Sequence, residues 1–480
     1  MNTSTPQRRT KIVATIGPAT AEPAQLVELL SAGVDVCRIN CSHSNADGIR
    51  KGVARIRRAA ISLNKHVAIL LDLQGPKIRT GPAESPTNLQ DGDILTIVMD
   101  ETLEASGTRV GTTWPTMVTD VQTGERVLFA DGALTGDIHA IRENEVDIKI
   151  DHGGLLGAHK GINLPESNIQ APALTDKDRE DLAVGVAAGV DYVALSFVRN
   201  EKDIQVLRDA LTDLGQAELP VIAKIEKPQA VENIESILTG VQGIMVARGD
   251  LGVELPLEQV PVIQKKLINA ANRAGVPVIT ATQMLDSMER NPRPTRAETT
   301  DVANAIIDGT DAVMLSGETS VGEFPFEAVR VMDRIARDVE RSHFLQAADI
   351  SSISALAGNK HTVARCACQA VNEGNRPMVV FTWSGRTAVL ASKARVRAPI
   401  FALTPNKTVC DQLSLVWGVT AVRMPMFETT DDMIAAGETV LMDEGHLPKG
   451  VEVVVLAGHT HTRGTTNLMK IEVLDGQYNR

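Results

Sequence analysis

Aromatic side chains are scarce in this chain, with 8 Phe, 2 Tyr and 3 Trp in 480 residues. The core must then be aliphatic, as in α/β proteins whose parallel strands are buried on both faces. Cysteine is scarce too. Cys37, Cys41, Cys366, Cys368 and Cys410 are odd in number and lack C-x-x-C spacing, which fits reduced thiols and no zinc site. Cys366 and Cys368 fall in an apolar helical pattern and are expected in the core. Positive charge is in deficit: the net charge of −12 argues against nucleic acid as a main partner. It also obliges any anionic substrate to find a locally basic cleft. No apolar run approaches a membrane span, and Met1 to Arg9 is polar, so the chain is expected to be soluble, cytoplasmic and without a membrane partner. Three motifs are missing as well. There is no G-x-x-x-x-G-K-[ST], no G-x-G-x-x-G opening a helix after a first strand, and no G-x-S-x-G elbow.

What is present is alternation. The length predicts two to four domains. Strands read at 11–17, 34–40 and 66–73, with helical patterns between them. From Gly75 to Ala171 the text changes to short β-like runs broken by Gly and Asp. Strands resume at 192–198, 220–226, 243–249, 277–283 and 311–316, each followed by a helix-compatible stretch. Three strands before the insert and five after it predict a (β/α)8 TIM barrel over 1–74 and 172–345. The insert, 75–171, reads as a small β-barrel lid hanging over the catalytic face. Residues 346–480 read as an open, mostly parallel α/β domain: a helix over 361–372, strands at 378–382, 399–404, 419–424, 451–457 and a last one near 469–474.

Functional residues of such a barrel gather at the C-terminal ends of its strands. Those ends carry Arg38, Asn40, Ser42, Asp72, Ser196, Phe197, Arg199, Lys224, Glu226, Arg248, Asp250, Thr282, Ser316 and Glu318. Lys224 and Glu226 are two apart and share one side of a strand. Asp250 adds a carboxylate from the next strand. Two carboxylates beside a lysine suggest Mg²⁺ with a phosphate next to it. A structural ion pair plus a turn aspartate is the other reading of the same residues. Taken together the set suits phosphoryl transfer, which needs positioning and charge neutralisation more than a covalent nucleophile. Arg38, Arg79, Lys160 and Lys224 can neutralise phosphate oxygens.

Several long stretches then resemble the pyruvate kinase family, in its order and along essentially the whole chain. They are Thr10–Thr20, Arg38–His43, Ile222–Glu226, Met245–Gly252, Thr280–Met284, Asn291–Glu298 and Met314–Glu318. The resemblance implies transfer of the phosphoryl group of phosphoenolpyruvate to ADP, giving pyruvate and ATP. It implies Lys224 beside the transferring group, Glu226 and Asp250 on Mg²⁺ (or Mn²⁺), and a second Mg²⁺ arriving with the nucleotide. Ala247, Arg248 and Gly249 would line the pyruvate pocket through their backbone, and Ser196, Ser316 and Glu318 would act as supports. Thr282 would belong to the group that protonates the enolate. Arg38, Arg79 and Lys160 would face the ADP phosphates, with Pro18, Asn40 and His43 near the nucleotide. It also implies a homotetramer. The competing reading is another metal-dependent barrel enzyme of phosphoenolpyruvate or oxoacid chemistry, a mutase or aldolase.

Two further expectations follow. Many family members carry Thr and Glu where this chain has Leu73 and Lys77, and those members require potassium. Asn40, Ser42 and Asp72 keep the side-chain ligands, while Lys77 brings a tethered positive charge. At about 4 Å and an effective dielectric near 20 such a charge is worth roughly 4 kcal/mol. Full activity without potassium is therefore expected. Thr382-Trp-Ser384-Gly385-Arg386-Thr387 runs from a strand into a helix, a geometry suited to phosphate. The resemblance implies an allosteric phosphorylated effector there, a sugar phosphate or a nucleotide monophosphate, with Arg463 in a second loop. His459 and His461 read as loop polar residues.

Overall fold

Eight short aliphatic runs close on themselves. In the computed structural model, which describes residues 8–167, 169, 171–342, 344–345, 361–458 and 466–475, they form a parallel barrel. The strands are Lys11–Thr15, Val36–Asn40, Ala68–Asp72, Tyr192–Leu195, Val221–Ile225, Gly243–Ala247, Val278–Ala281 and Ala312–Leu315. Each pairs with its sequence neighbours, and the last pairs with the first. Apolar side chains fill both faces. Val13, Leu70, Ile222, Met245, Ile279 and Met314 pack inside the ring. Ile12, Ile69, Val193, Val221, Ile244 and Val313 meet the surrounding helices.

The insert leaves the third strand at Gly75. Its φ is +70°, and a Cβ there would stand 2.8 Å from the Phe197 ring, so glycine serves both the turn and the close approach. One buried carboxylate ties both ends of the insert. Asp178 accepts from Gly75 N at 3.1 Å and from Thr175 N at 3.0 Å, at the N-terminus of the helix Asp176–Ala188. Arg199 holds the returning chain through the carbonyls of Ile169 (2.7 Å) and Ala171 (3.0 Å). Within the insert, a six-stranded sheet and a two-stranded sheet enclose one apolar core, where the sequence suggested a small barrel.

The C-terminal sheet is open. Its order is Val419–Arg423, Ile400–Thr404, Met378–Phe381, Glu452–Ala457 and Leu468–Val473, the first four parallel and the last antiparallel. It docks at the N-terminal face of the barrel. Lys393 meets Asp311 at 2.5 Å with both side chains fully buried. Arg57 bridges Asp191 (2.6 Å) and Asp411 (3.4 Å). The opposite barrel face stays open to the insert. One cysteine differs from expectation. In the helix Thr362–Gly374, Cys368 is buried, with its thiol pushed up to about 12 by burial, but Cys366 is exposed. Two residues along a helix turn about 200°, so both cannot face one core.

Candidate active site

The first five barrel strands deliver one charged cluster. Lys224 Nζ donates to Ser196 Oγ at 2.7 Å and lies 2.8 Å from Glu226 Oε1 and 3.4 Å from Asp72 Oδ1. Asp72 also accepts from Arg38 Nε at 2.6 Å, and Arg38 Nη1 donates to Thr15 Oγ1 at 2.9 Å. Glu226 Oε2 accepts from the backbone N–H of Phe197 at 2.7 Å, where the chain turns through a φ of +55°. Burial disfavours charge on Lys224, but Asp72 and Glu226 outweigh it and raise its pKa. Burial likewise pushes the Asp72 carboxyl up, and Lys224 and Arg38 overcome it, so Asp72 is held below the usual range. Glu226 goes the other way: burial raises it, Lys224 pulls it down, and Asp250 adds to the rise.

The donor set suits a hard divalent cation. Three carboxylates (Asp72, Glu226, Asp250) face two cations (Arg38, Lys224), a deficit of positive charge. Glu226 Oε1 is buried without a hydrogen bond, its contact with Lys224 being one of charge. Among the described residues no group of three or more His, Cys, Asp or Glu could hold a metal alone. Mg²⁺ matches that limit, since it takes one or two carboxylates and fills its other positions with water and substrate oxygens.

The sixth and seventh strands supply the neighbouring wall. Thr282 and Gln283 both have positive φ, +67° and +54°. Thr282 Oγ1 accepts from Gly249 N at 2.7 Å and donates to Ala281 O at 2.7 Å. Ala247 is buried, and Arg248, Gly249 and Asp250 are half-buried. The Arg248 guanidinium does not face the cluster but grips Thr282 O and Asp301. Glu318 is buried, accepts from Ser316 N (2.6 Å) and Leu285 N (3.0 Å), and has its carboxyl raised by burial.

The remaining expected residues spread around the rim. Pro18 and His43 are exposed beyond the first and second strands. Arg79 and Lys160 lie together on the insert, Arg79 half-buried with Nη1 on His159 O at 3.0 Å, and Lys160 exposed. Three of the four expected potassium ligands, Asn40, Asp72 and Leu73, have their oxygens engaged. Asn40 Oδ1 accepts from Ser42 N (3.1 Å), Asp72 binds the two cations, and Leu73 O accepts from Ser196 Oγ (2.7 Å). Lys77 joins none of them. It lines an open cleft with Phe197, Lys227, Asp250 and Asn163, its Cε near Gly161.

In the C-terminal domain, Thr382 Oγ1 accepts from Gly385 N at 3.0 Å, and Gly385 has a φ of +79° ahead of the helix Arg386–Lys393. Ser384 and Arg386 are exposed, and Thr387 Oγ1 meets Thr466 Oγ1 at 2.8 Å. Arg463, His459 and His461 lie outside the described residues.

Sequence reasoning missed four partners. Thr15 ends the first strand and the strand-end rule could have found it. Lys227 and Asn163, both on Glu254, join barrel and insert, and Asp301 orients Arg248. No local pattern announces either pairing.

Comparison with known proteins agrees with this geometry. The family description "Pyruvate kinase, barrel domain" matches residues 7–329, and "Pyruvate kinase, alpha/beta domain" matches 361–472. The chain is 43% identical over 477 residues to a pyruvate kinase of Geobacillus stearothermophilus, covering 98% of this chain and 81% of that one. It is 41% identical to a pyruvate kinase of Mycobacterium tuberculosis, covering 97% and 98%. A crystal structure of a pyruvate kinase from Cryptosporidium parvum superposes with a TM-score of 0.91 at 35% identity, covering 97% and 96%.

Proposed function

The chain belongs to the pyruvate kinase family, and from that premise we propose how its own residues carry out phosphoryl transfer between phosphoenolpyruvate and ADP. The observation that carries the reading is Lys224. Its ammonium lies within 2.8 Å of Ser196 and Glu226, at an open strand end with an excess of carboxylates. Charge develops on the enolate oxygen as the phosphoryl group leaves, and a fixed ammonium there stabilises the transition state more than the ground state. Arg38 lies on the far side of Asp72 and adds positive charge for phosphate oxygens. Glu226 and Asp250 would hold Mg²⁺ or Mn²⁺, which would supply positive charge against the negative charge that develops there. The pyruvate pocket is the backbone of Ala247, Arg248 and Gly249, with Thr282 serving protonation of the enolate. Pro18, Asn40, His43, Arg79 and Lys160 receive ADP when the insert closes.

Four finer readings go with this one. Potassium is not required, because the oxygens of Asn40, Asp72 and Leu73 already have partners and Lys77 supplies a mobile cation at the rim. The loop Thr382–Thr387 binds a phosphorylated effector, a sugar phosphate or nucleotide monophosphate, which activates the enzyme. The assembly is a homotetramer, to which the exposed Leu257, Val262, Ile471 and Val473 offer apolar contact. The enzyme works in the cytoplasm.

A coupled assay tests the central reading: ADP-dependent pyruvate formation from phosphoenolpyruvate with Mg²⁺ present. Pyruvate formed without ADP, or none formed with it, would favour the mutase or aldolase alternative.

A further inference from the structure

We propose that Arg248 is a positioning residue for the proton-transfer half of the reaction, holding the strained Thr282–Gln283 turn in its working shape. The inference rests on the reading of Thr282 as part of the group that protonates the enolate. Two adjacent side-chain-bearing residues in the left-handed region are costly, and the first is β-branched, the least tolerant type. Such a turn persists only if its surroundings over-determine it.

The surroundings here are two consecutive residues of the sixth strand's end. Gly249 N donates to Thr282 Oγ1 at 2.7 Å. Arg248 binds the backbone on the other side, with Nη2 on Thr282 O at 2.8 Å and Nε on Ala281 O at 3.3 Å. The guanidinium is itself anchored outside the barrel. Nη1 donates to Asp301 Oδ1 at 2.6 Å, on the helix Arg296–Ile307, and to Gln264 Oε1 at 3.2 Å, on the helix Val260–Ala274. A planar fork can serve a carbonyl on one side and a carboxylate on the other. A lysine ammonium cannot span both.

The chemical consequence concerns the Thr282 hydroxyl. It donates to Ala281 O and accepts from Gly249 N, which leaves one lone pair. That lone pair can accept from a water, whose second O–H then faces the enolate. At C3 a C–H bond forms as that O–H breaks, and solvent restores the water's proton. If the turn relaxes, Oγ1 moves, and a misplacement of about 1 Å costs roughly 100-fold. Phosphoryl transfer, centred on Lys224, does not depend on the turn.

The test compares Arg248→Lys with the milder Asp301→Asn, which keeps the fork but loosens its anchor. Proton transfer is read as deuterium incorporation into the methyl group of pyruvate, with Mg²⁺ and ATP present. Phosphoryl transfer is read by rapid quench, as ATP formed in the first turnover. Arg248→Lys is expected to slow exchange roughly 10- to 100-fold. Its phosphoenolpyruvate KM stays near wild type, and ATP appears ahead of pyruvate. Asp301→Asn shows the same order at smaller size, and decides the matter if Arg248→Lys does not fold. Exchange at the wild-type rate in the folded variants overturns the proposal. So does a fall in exchange matched by an equal fall in ATP formation. Thr282→Val serves as reference. If it exchanges normally while Arg248→Lys does not, the Thr282 reading fails and the chemical half of the proposal with it. If it loses exchange and Arg248→Lys keeps it, the Thr282 reading stands and Arg248 is overturned.

Discussion

Both ends of the barrel carry buried cations against carboxylates, yet only one has the makings of an active site. At the N-terminal end Lys393 and Arg395 converge on Asp311, with Asn272 beside them, and the Lys393 and Asp311 side chains are fully sealed by the C-terminal domain. There two cations meet one carboxylate. At the C-terminal end two cations meet three carboxylates, the Lys224 side chain retains 12% exposure, and Asp250 is half-buried. Buried charge alone therefore does not mark chemistry. What separates these two clusters is an unmet demand for positive charge together with a path to solvent. The strain differs in kind as well. Arg395 takes a positive φ just past a helix end, an ordinary place for it, whereas Thr282 does so as a β-branched residue in a strand-end turn.

The largest expected effect lies at the open end. Lys224→Met should lower kcat by several orders of magnitude, with phosphoenolpyruvate still bound. Steady-state rates beside a binding titration check it, and a near-wild-type kcat would erase the distinction drawn between the ends. Lys77→Glu comes next, adding a carboxylate at the rim near Asp250. It should lose activity roughly tenfold or more, about the cost of a misplaced unit charge at partial exposure, and potassium should recover part of it, more so with Leu73→Thr. The wild type should run at full rate without potassium, at constant ionic strength; a strong rise on adding KCl would contradict this.

At the sealed end the expected change is in stability. Lys393→Met should cost about 3 kcal/mol, because Asp311 loses a buried partner, with kcat little altered. The pH dependence sharpens this. Burial depresses Lys393 to about 8 against the opposing pull of Asp311. Between that value and its unfolded value of about 10.4, the unfolded chain binds more protons, so this group makes stability rise with pH. The wild type should gain on Lys393→Met in unfolding temperature from pH 8 to pH 10. An unchanged gap would mean that the lysine is not desolvated. The smallest effect belongs to the effector loop. Thr382→Ala/Thr387→Ala should leave basal rates alone and flatten activation by phosphorylated metabolites at subsaturating phosphoenolpyruvate.

Much of the barrel was legible because its strands are continuous aliphatic runs ending in charge, and that pattern survives without knowledge of neighbours. Lys224 and Glu226 could be placed on one side of a strand by spacing alone. What spacing could not give is which groups share a partner. Asp72 reads as a potassium ligand, yet its carboxylate is taken by Arg38 and Lys224. Arg248 reads as pocket backbone, yet its side chain turns outward to Asp301, 53 residues on. Cys366 and Cys368 read as one core pair although the helix sends them to different faces. These are tertiary choices, fixed by packing between elements distant in the chain.

The open end, and not the sealed one, is where a divalent cation is expected to bind. Mn²⁺ titration followed by its paramagnetic signal, on the wild type, Glu226→Gln and Lys393→Met, tests it most directly. Saturable binding is expected in the wild type and in Lys393→Met, strengthened by phosphoenolpyruvate, with loss of that binding in Glu226→Gln. Wild-type Mn²⁺ affinity in Glu226→Gln would contradict it.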